Sequence, residues 1–161
     1  MGSAALILFV FEALAPRLFP WMKLGLGNLA VLLALLVYGF VAALGVSMIK
    51  LLVGGLITGS LGGPAFVIGG GAGLASLLLM AAVHCSLTRL FSPVGLSILG
   101  ALTHQVVQLV LATYLYIGQT ALLSFLHLFL IWGLLSGMLI GLLVHWTLEK
   151  FRANGWLKMQ G

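Results

Sequence analysis

Aspartate is absent from this 161-residue chain, and its only acids are Glu12 and Glu149. A magnesium–diphosphate site of the acidic-cluster kind therefore cannot be assembled. Four histidines, His84, His104, His127 and His145, lie too far apart in sequence for a ligand motif, so no metal is expected. Cys85 is the single cysteine, which excludes an internal disulfide and a thiolate zinc cluster; it reads as a small buried hydrophobe. No serine nucleophile has a base and an orienting acid at hand, and no P-loop occurs. An enzyme is not expected, nor a cofactor; binding or transport remains.

Charge of either sign is scarce. Only 6% of residues are charged, with seven cations against two acids for a net charge of +5. In a soluble protein that excess would suggest nucleic acid, but the cations stand singly with no basic patch interleaved with aromatics, so none is expected. They read as topogenic charge. Hydrophobic residues make up 63% of the chain, more than a soluble domain can hide. The lipid bilayer is therefore its expected partner. With about 20 apolar residues per span, the length admits at most about six or seven helices and one domain. No cleavable signal with a basic start and a small-residue cleavage site is expected.

Taken in order, the sequence predicts an all-α, polytopic six-transmembrane-helix bundle forming a single domain over 1–161. A first helix is expected over about 3–15, stopping before Pro16; at about 20 Å it is short of a hydrocarbon core of about 30 Å. The second, about 28–39, takes Asn28 as its cap. After a tight turn at Gly39-Phe40 comes a third, about 41–58, with Lys50 halfway along. Ser60-Leu61-Gly62-Gly63-Pro64 predicts a turn that places Pro64 at the first position of the fourth, about 64–90. Phe91-Ser92-Pro93 is the next break, and helices over about 94–117 and 121–150 follow, parted by Gly118-Gln119-Thr120.

Arg17 to Asn28 holds two cations, a proline, a tryptophan and two glycines in an otherwise apolar region. Unpaired backbone groups in hydrocarbon each cost several kcal/mol, so the segment belongs at the surface or over a cavity, and it reads as a lid on a polar pocket. Six helices put both termini on one side. Arg89, Lys150, Arg152 and Lys158 on that side outnumber Arg17 and Lys23 on the other, which makes the termini cytoplasmic. Glycines recur four apart at Gly133, Gly137 and Gly141, at Gly55 and Gly59, and at Gly69 and Gly73. Small residues at this spacing let helix backbones approach, either within the chain or against a partner membrane protein.

Polar side chains inside the membrane are costly unless they face the bundle interior and find partners. Glu12 near the outer end of the first helix, Lys50 at mid-span, and His104, Gln105 and Gln108 on the fifth helix belong to this group, with His127 in the outer half of the last. His104 and Gln108 share a face. With Lys23 and Asn28 they form a candidate chamber under the lid. An internal ion pair of Lys50 with Glu12, and interhelical hydrogen bonding by His104 and Gln108, explain the same residues structurally.

Several motifs occur in a recognisable order: Glu12 to Pro16, Lys23-Leu24-Gly25-Leu26-Gly27-Asn28, Lys50-Leu51-Leu52-Val53-Gly54-Gly55, Phe91-Ser92-Pro93-Val94-Gly95, and His104 with Gln108-Leu109. In these the chain resembles the Gx transporter family, also known as heptaprenyl diphosphate synthase component I, and through it the substrate-binding S components of energy-coupling-factor transporters. The resemblance covers nearly everything after about Leu8. It implies a six-helix bundle with cytoplasmic termini and an outward ligand site, reoriented by a transmembrane coupling subunit with two ATPases. Glu12, Lys23, Asn28, Lys50, His104 and Gln108 match the family's motifs; Trp21, Gln105 and His127 are secondary candidates. Two departures stand out. Ala4, Ala5, Ala13 and Ala15 do not repeat at the four-residue spacing used for docking the coupling subunit. Lys50 stands where arginine is expected, keeping the charge but losing the bidentate fork.

The expected function is a substrate-binding subunit of an importer for a small, partly apolar anion, in a bacterial plasma (inner) membrane. Two alternatives stay open: a noncatalytic membrane partner of a prenyl diphosphate synthase, and a self-contained carrier or channel.

Overall fold

Glycine and proline set the boundaries of the helices. The computed structural model describes residues 26–86, 91–117 and 124–154, and among these no strand occurs. Helix α1 covers Leu26–Tyr38, α2 Phe40–Ile57, α3 Pro64–Ser86, α4 Pro93–Ala112 and α5 Leu126–Ala153; the end of α4 widens into a π turn over Thr113–Ile117. One residue, Gly39, separates α1 from α2. Its φ of 86° lies in the left-handed region, which a side chain would strain. The Gly39 N–H still donates to the Leu35 carbonyl at 3.1 Å, and Ala43 N–H to the Gly39 carbonyl at 3.2 Å, so few backbone groups are orphaned.

Pro64 opens α3 as expected, after a turn in which the Thr58 hydroxyl donates to the Gly54 carbonyl at 2.7 Å. Proline suits this position because the first helical N–H has no partner to lose. At the start of α4, the Ser92 hydroxyl accepts from the Gly95 N–H at 3.2 Å and Pro93 follows it, a cap and an N-terminal proline together.

Among the described residues four helices are long and apolar enough to cross a membrane: Phe40–Ile57, Pro64–Ser86, Pro93–Leu115 and Leu126–Ala153. Their outward faces are apolar, with Leu52, Leu56, Leu78, Ile131, Leu135 and Leu142 all exposed. A contiguous apolar exterior of this kind has to be covered by lipid, and the protein is a membrane protein. The described part of α1 has 13 residues, a rise of about 20 Å.

Packing runs in sequence around the bundle, α1 on α2, α2 on α3, α3 on α4 and α4 on α5, and α1 also touches α5. Because α1 meets both ends of this series, it contributes Leu29, Val31, Leu32, Ala34 and Leu35 to a core completed by Leu77, Met80, Leu96, Ile140 and Val144. The closest approach is between α4 and α5. A Cβ at Gly137 would stand 2.8 Å from the Ile98 Cα, and one at Gly141 would stand 2.6 Å from the Val94 Cα. This glycine row therefore serves packing within the chain. The other two rows do not form such a face among the described residues: Gly59 lies in the turn after α2 with φ 63°, and no described residue stands within 4 Å of a Cβ at Gly69 or Gly73.

Observed boundaries differ from the expected ones by a few residues. Because Leu26 and Gly27 are already helical, Asn28 lies inside α1 rather than at its cap. Only Ala153 ends α5, beyond the expected Lys150, and Cys85 is exposed rather than buried, since it falls on the outer side of α3 near its end. The expected helix over 3–15, most of the lid, Arg89, Lys158 and the turn at Gly118-Gln119-Thr120 lie outside the described residues.

Candidate functional site

Asn28 and Lys50 each stand eleven positions from Gly39, so an antiparallel α1–α2 hairpin brings them level. The Lys50 Nζ donates to the Asn28 Oδ1 at 2.5 Å. An ammonium can only donate, which fixes the carbonyl oxygen of Asn28 toward Lys50 and turns its NH2 the other way. Ten residues beyond Phe40, Lys50 is about 15 Å up α2, half of a hydrocarbon core of about 30 Å. A lysine at that depth facing lipid costs about 2.5–3.5 kcal/mol, and the inward contact with Asn28 reduces that cost.

Beside this pair is a cavity of about 20 Å³, enough for a single water-sized group. Among the described residues its polar lining is Asn28 from α1, Ser76 from α3, Ser97 from α4 and Ser136 from α5, with Leu32, Met80, Gly100, Ala101 and Ile140 beside them. Glycine at position 100 lets α3 come close, so that the Met80 thioether rests on it and the Ser76 hydroxyl donates across to the Gly100 carbonyl at 2.7 Å. Within α5, the Ser136 hydroxyl donates to the Gly133 carbonyl at 3.2 Å. Ser76 and Ser97 are both buried, at 3% and 5% exposure, which marks them as polar groups placed inside rather than left at a surface.

The sequence-predicted residues divide into three groups. Asn28 and Lys50 are brought together. His104, Gln105 and Gln108 follow Ala101 by three, four and seven positions, so they continue one stripe of α4 away from the cavity without lining it. Gln105 packs on α5, its Cγ 3.1 Å from where a Cβ of Gly133 would stand, and His104 is engaged with a partner rather than free. His127 is exposed in the first turn of α5, apart from the cavity. Glu12, Trp21 and Lys23 lie outside the described residues.

The three serines escaped the sequence reading. A signal existed: Ser97 stands three residues before Gly100, and Ser136 three after Gly133, so each hydroxyl shares a helix face with a glycine. Among the described residues no three His, Cys, Asp or Glu side chains come together to hold a metal ion. Glu149 is at the far end of α5, 3.4 Å from His145, where Lys150 also stacks over the Trp146 ring at 3.7 Å. The arrangement around Asn28 can therefore bind through hydrogen bonds and one positive charge.

No curated protein and no solved structure matches the chain. The family model for heptaprenyl diphosphate synthase component I matches residues 1–147, nearly the whole length, and this membrane protein belongs to that family.

Proposed function

We propose that the chain is a substrate-binding subunit of an importer, a single six-helix transmembrane domain in a bacterial plasma membrane with both termini cytoplasmic. One observation carries this reading: Lys50 and Asn28 are joined at mid-span, beside a cavity bordered by α1, α3, α4 and α5. Polar and cationic side chains that converge on a cavity inside a membrane are costly unless they serve one another or a ligand, and a lysine with amide and hydroxyl neighbours suits an anionic group.

In this proposal Lys23 and Asn28 meet a small, partly apolar anion entering from outside, and Lys50, His104 and Gln108 receive it. Glu12 balances the lysines, Trp21, Gln105 and His127 border the path, and the Arg17 to Gly27 segment closes over it. A transmembrane coupling subunit with ATPases then reorients the bundle. The family description favours a second reading, a noncatalytic membrane partner of a prenyl diphosphate synthase. Tagged protein purified from native membranes separates them. Recovery of a coupling protein with ATPases supports the importer; recovery of a soluble prenyl synthase in their place refutes it; uptake by vesicles containing this chain alone, without ATP, points to a self-contained carrier.

A further inference from the structure

We propose that the small cavity beneath Asn28 is a specificity subsite for one uncharged hydroxyl group of the substrate, distinct from the place where its charge is held. The inference rests on the substrate-binding reading above and adds to it the hydrogen-bonding character of the part that enters the cavity.

Among the described residues four polar side chains line the cavity, and their bonding states differ. The Ser76 hydroxyl proton is committed to the Gly100 carbonyl at 2.7 Å, and that of Ser136 to the Gly133 carbonyl at 3.2 Å. What these two serines offer the cavity is lone pairs, so both act as acceptors. Asn28 is the opposite case: Lys50 occupies its oxygen, and the NH2 that remains is a donor. Ser97, 5% exposed and in the same lining, can serve in either sense. A carboxylate or phosphate oxygen, which only accepts, would face the lone pairs of Ser76 and Ser136. An ammonium, which only donates, would face the NH2 of Asn28. A hydroxyl donates once and accepts twice, and satisfies both kinds of neighbour.

Size points the same way. A cavity of about 20 Å³ admits one water-sized group and is too small for a carboxylate or a diphosphate. Without substrate, one water molecule would answer the same set of partners, and a substrate hydroxyl would replace it without loss of hydrogen bonds. A substrate lacking the hydroxyl leaves buried donors and acceptors to be served by a trapped water or by nothing, and this is the source of selectivity.

The test uses the full chain in lipid nanodiscs with hexanoate and its 2-, 3-, 4-, 5- and 6-hydroxy derivatives as probes, read by isothermal titration. At least one hydroxylated isomer is expected to bind about tenfold more tightly than hexanoate, the effect of one satisfied buried hydrogen bond. In Ser76→Ala and Ser136→Ala the ratio of hydroxylated-isomer affinity to hexanoate affinity should fall several-fold. Equal affinities for all isomers, or a preference untouched in both variants, would overturn the subsite and leave the binding reading standing. Binding of none of the probes overturns the reading of an organic-anion site, and the subsite with it.

Discussion

Replacing Gly141 by alanine puts one methyl group where α4 and α5 approach closely. A Cβ there would lie 2.6 Å from the Val94 Cα, 3.1 Å from the Ser97 Cβ and 3.2 Å from the Val94 carbonyl oxygen. Carbon atoms rest at about 3.5–4.0 Å, so α4 and α5 must part by about 1 Å at this level. The obstructing atoms belong mostly to the backbone and cannot rotate away. Overpacking of this kind costs about 1–3 kcal/mol, and the better helix propensity of alanine returns at most about 1 kcal/mol, which leaves a net loss of about 1–2 kcal/mol. For a chain of this size that lowers the melting temperature by about 2–8 °C. Gly73→Ala on α3 is the control, because nothing stands within 4 Å of its Cβ and only the propensity gain should register. Thermal unfolding of both variants in the same mixed micelles measures the difference. If Gly141→Ala unfolds at the same temperature as Gly73→Ala, the close α4–α5 approach is wrong.

Thr113 is 1% exposed and its hydroxyl oxygen has no hydrogen-bond partner among the described residues, so Thr113→Val should stabilise the protein by about 1 kcal/mol; a lower melting temperature would show the hydroxyl to be bonded. Ser92→Ala removes the cap of α4 and should cost about 1 kcal/mol in the same unfolding assay, with loss of the Gly95 N–H partner as the cause. A double-mutant cycle on Asn28→Ala and Lys50→Met should return a coupling of about 0.5–3 kcal/mol, as contacting residues do; additive effects would mean that the two side chains do not meet.

Much of this fold is legible in the sequence because its punctuation is local. Gly39, the turn before Pro64 and the Ser92-Pro93 pair each act on the backbone within a few residues, and the helix limits follow them closely. The glycine row at 133, 137 and 141 is readable for the same reason: three missing side chains on one face announce a close neighbour. The pairing of Asn28 with Lys50 is half legible, since equal spacing from Gly39 places them level once the hairpin is assumed, whereas capping was the more obvious role for Asn28. What could not be read is convergence. Ser76, Ser97 and Ser136 come from three helices, and a serine in an apolar helix most often just bonds its own backbone, so nothing in spacing tells that these three share a cavity. Nor does the sequence around Thr113 announce that α4 widens there, because no proline or glycine marks the place.

The central claim is that the polar groups at Asn28 and Lys50 hold a small molecule inside the membrane. Native mass spectrometry on wild-type protein and Lys50→Met, purified side by side from the same cells, tests it most directly. The account predicts a small-molecule adduct retained by the wild type and lost from the variant, with both proteins folded by circular dichroism. An adduct of equal occupancy on the two proteins, or its absence from both, would contradict it.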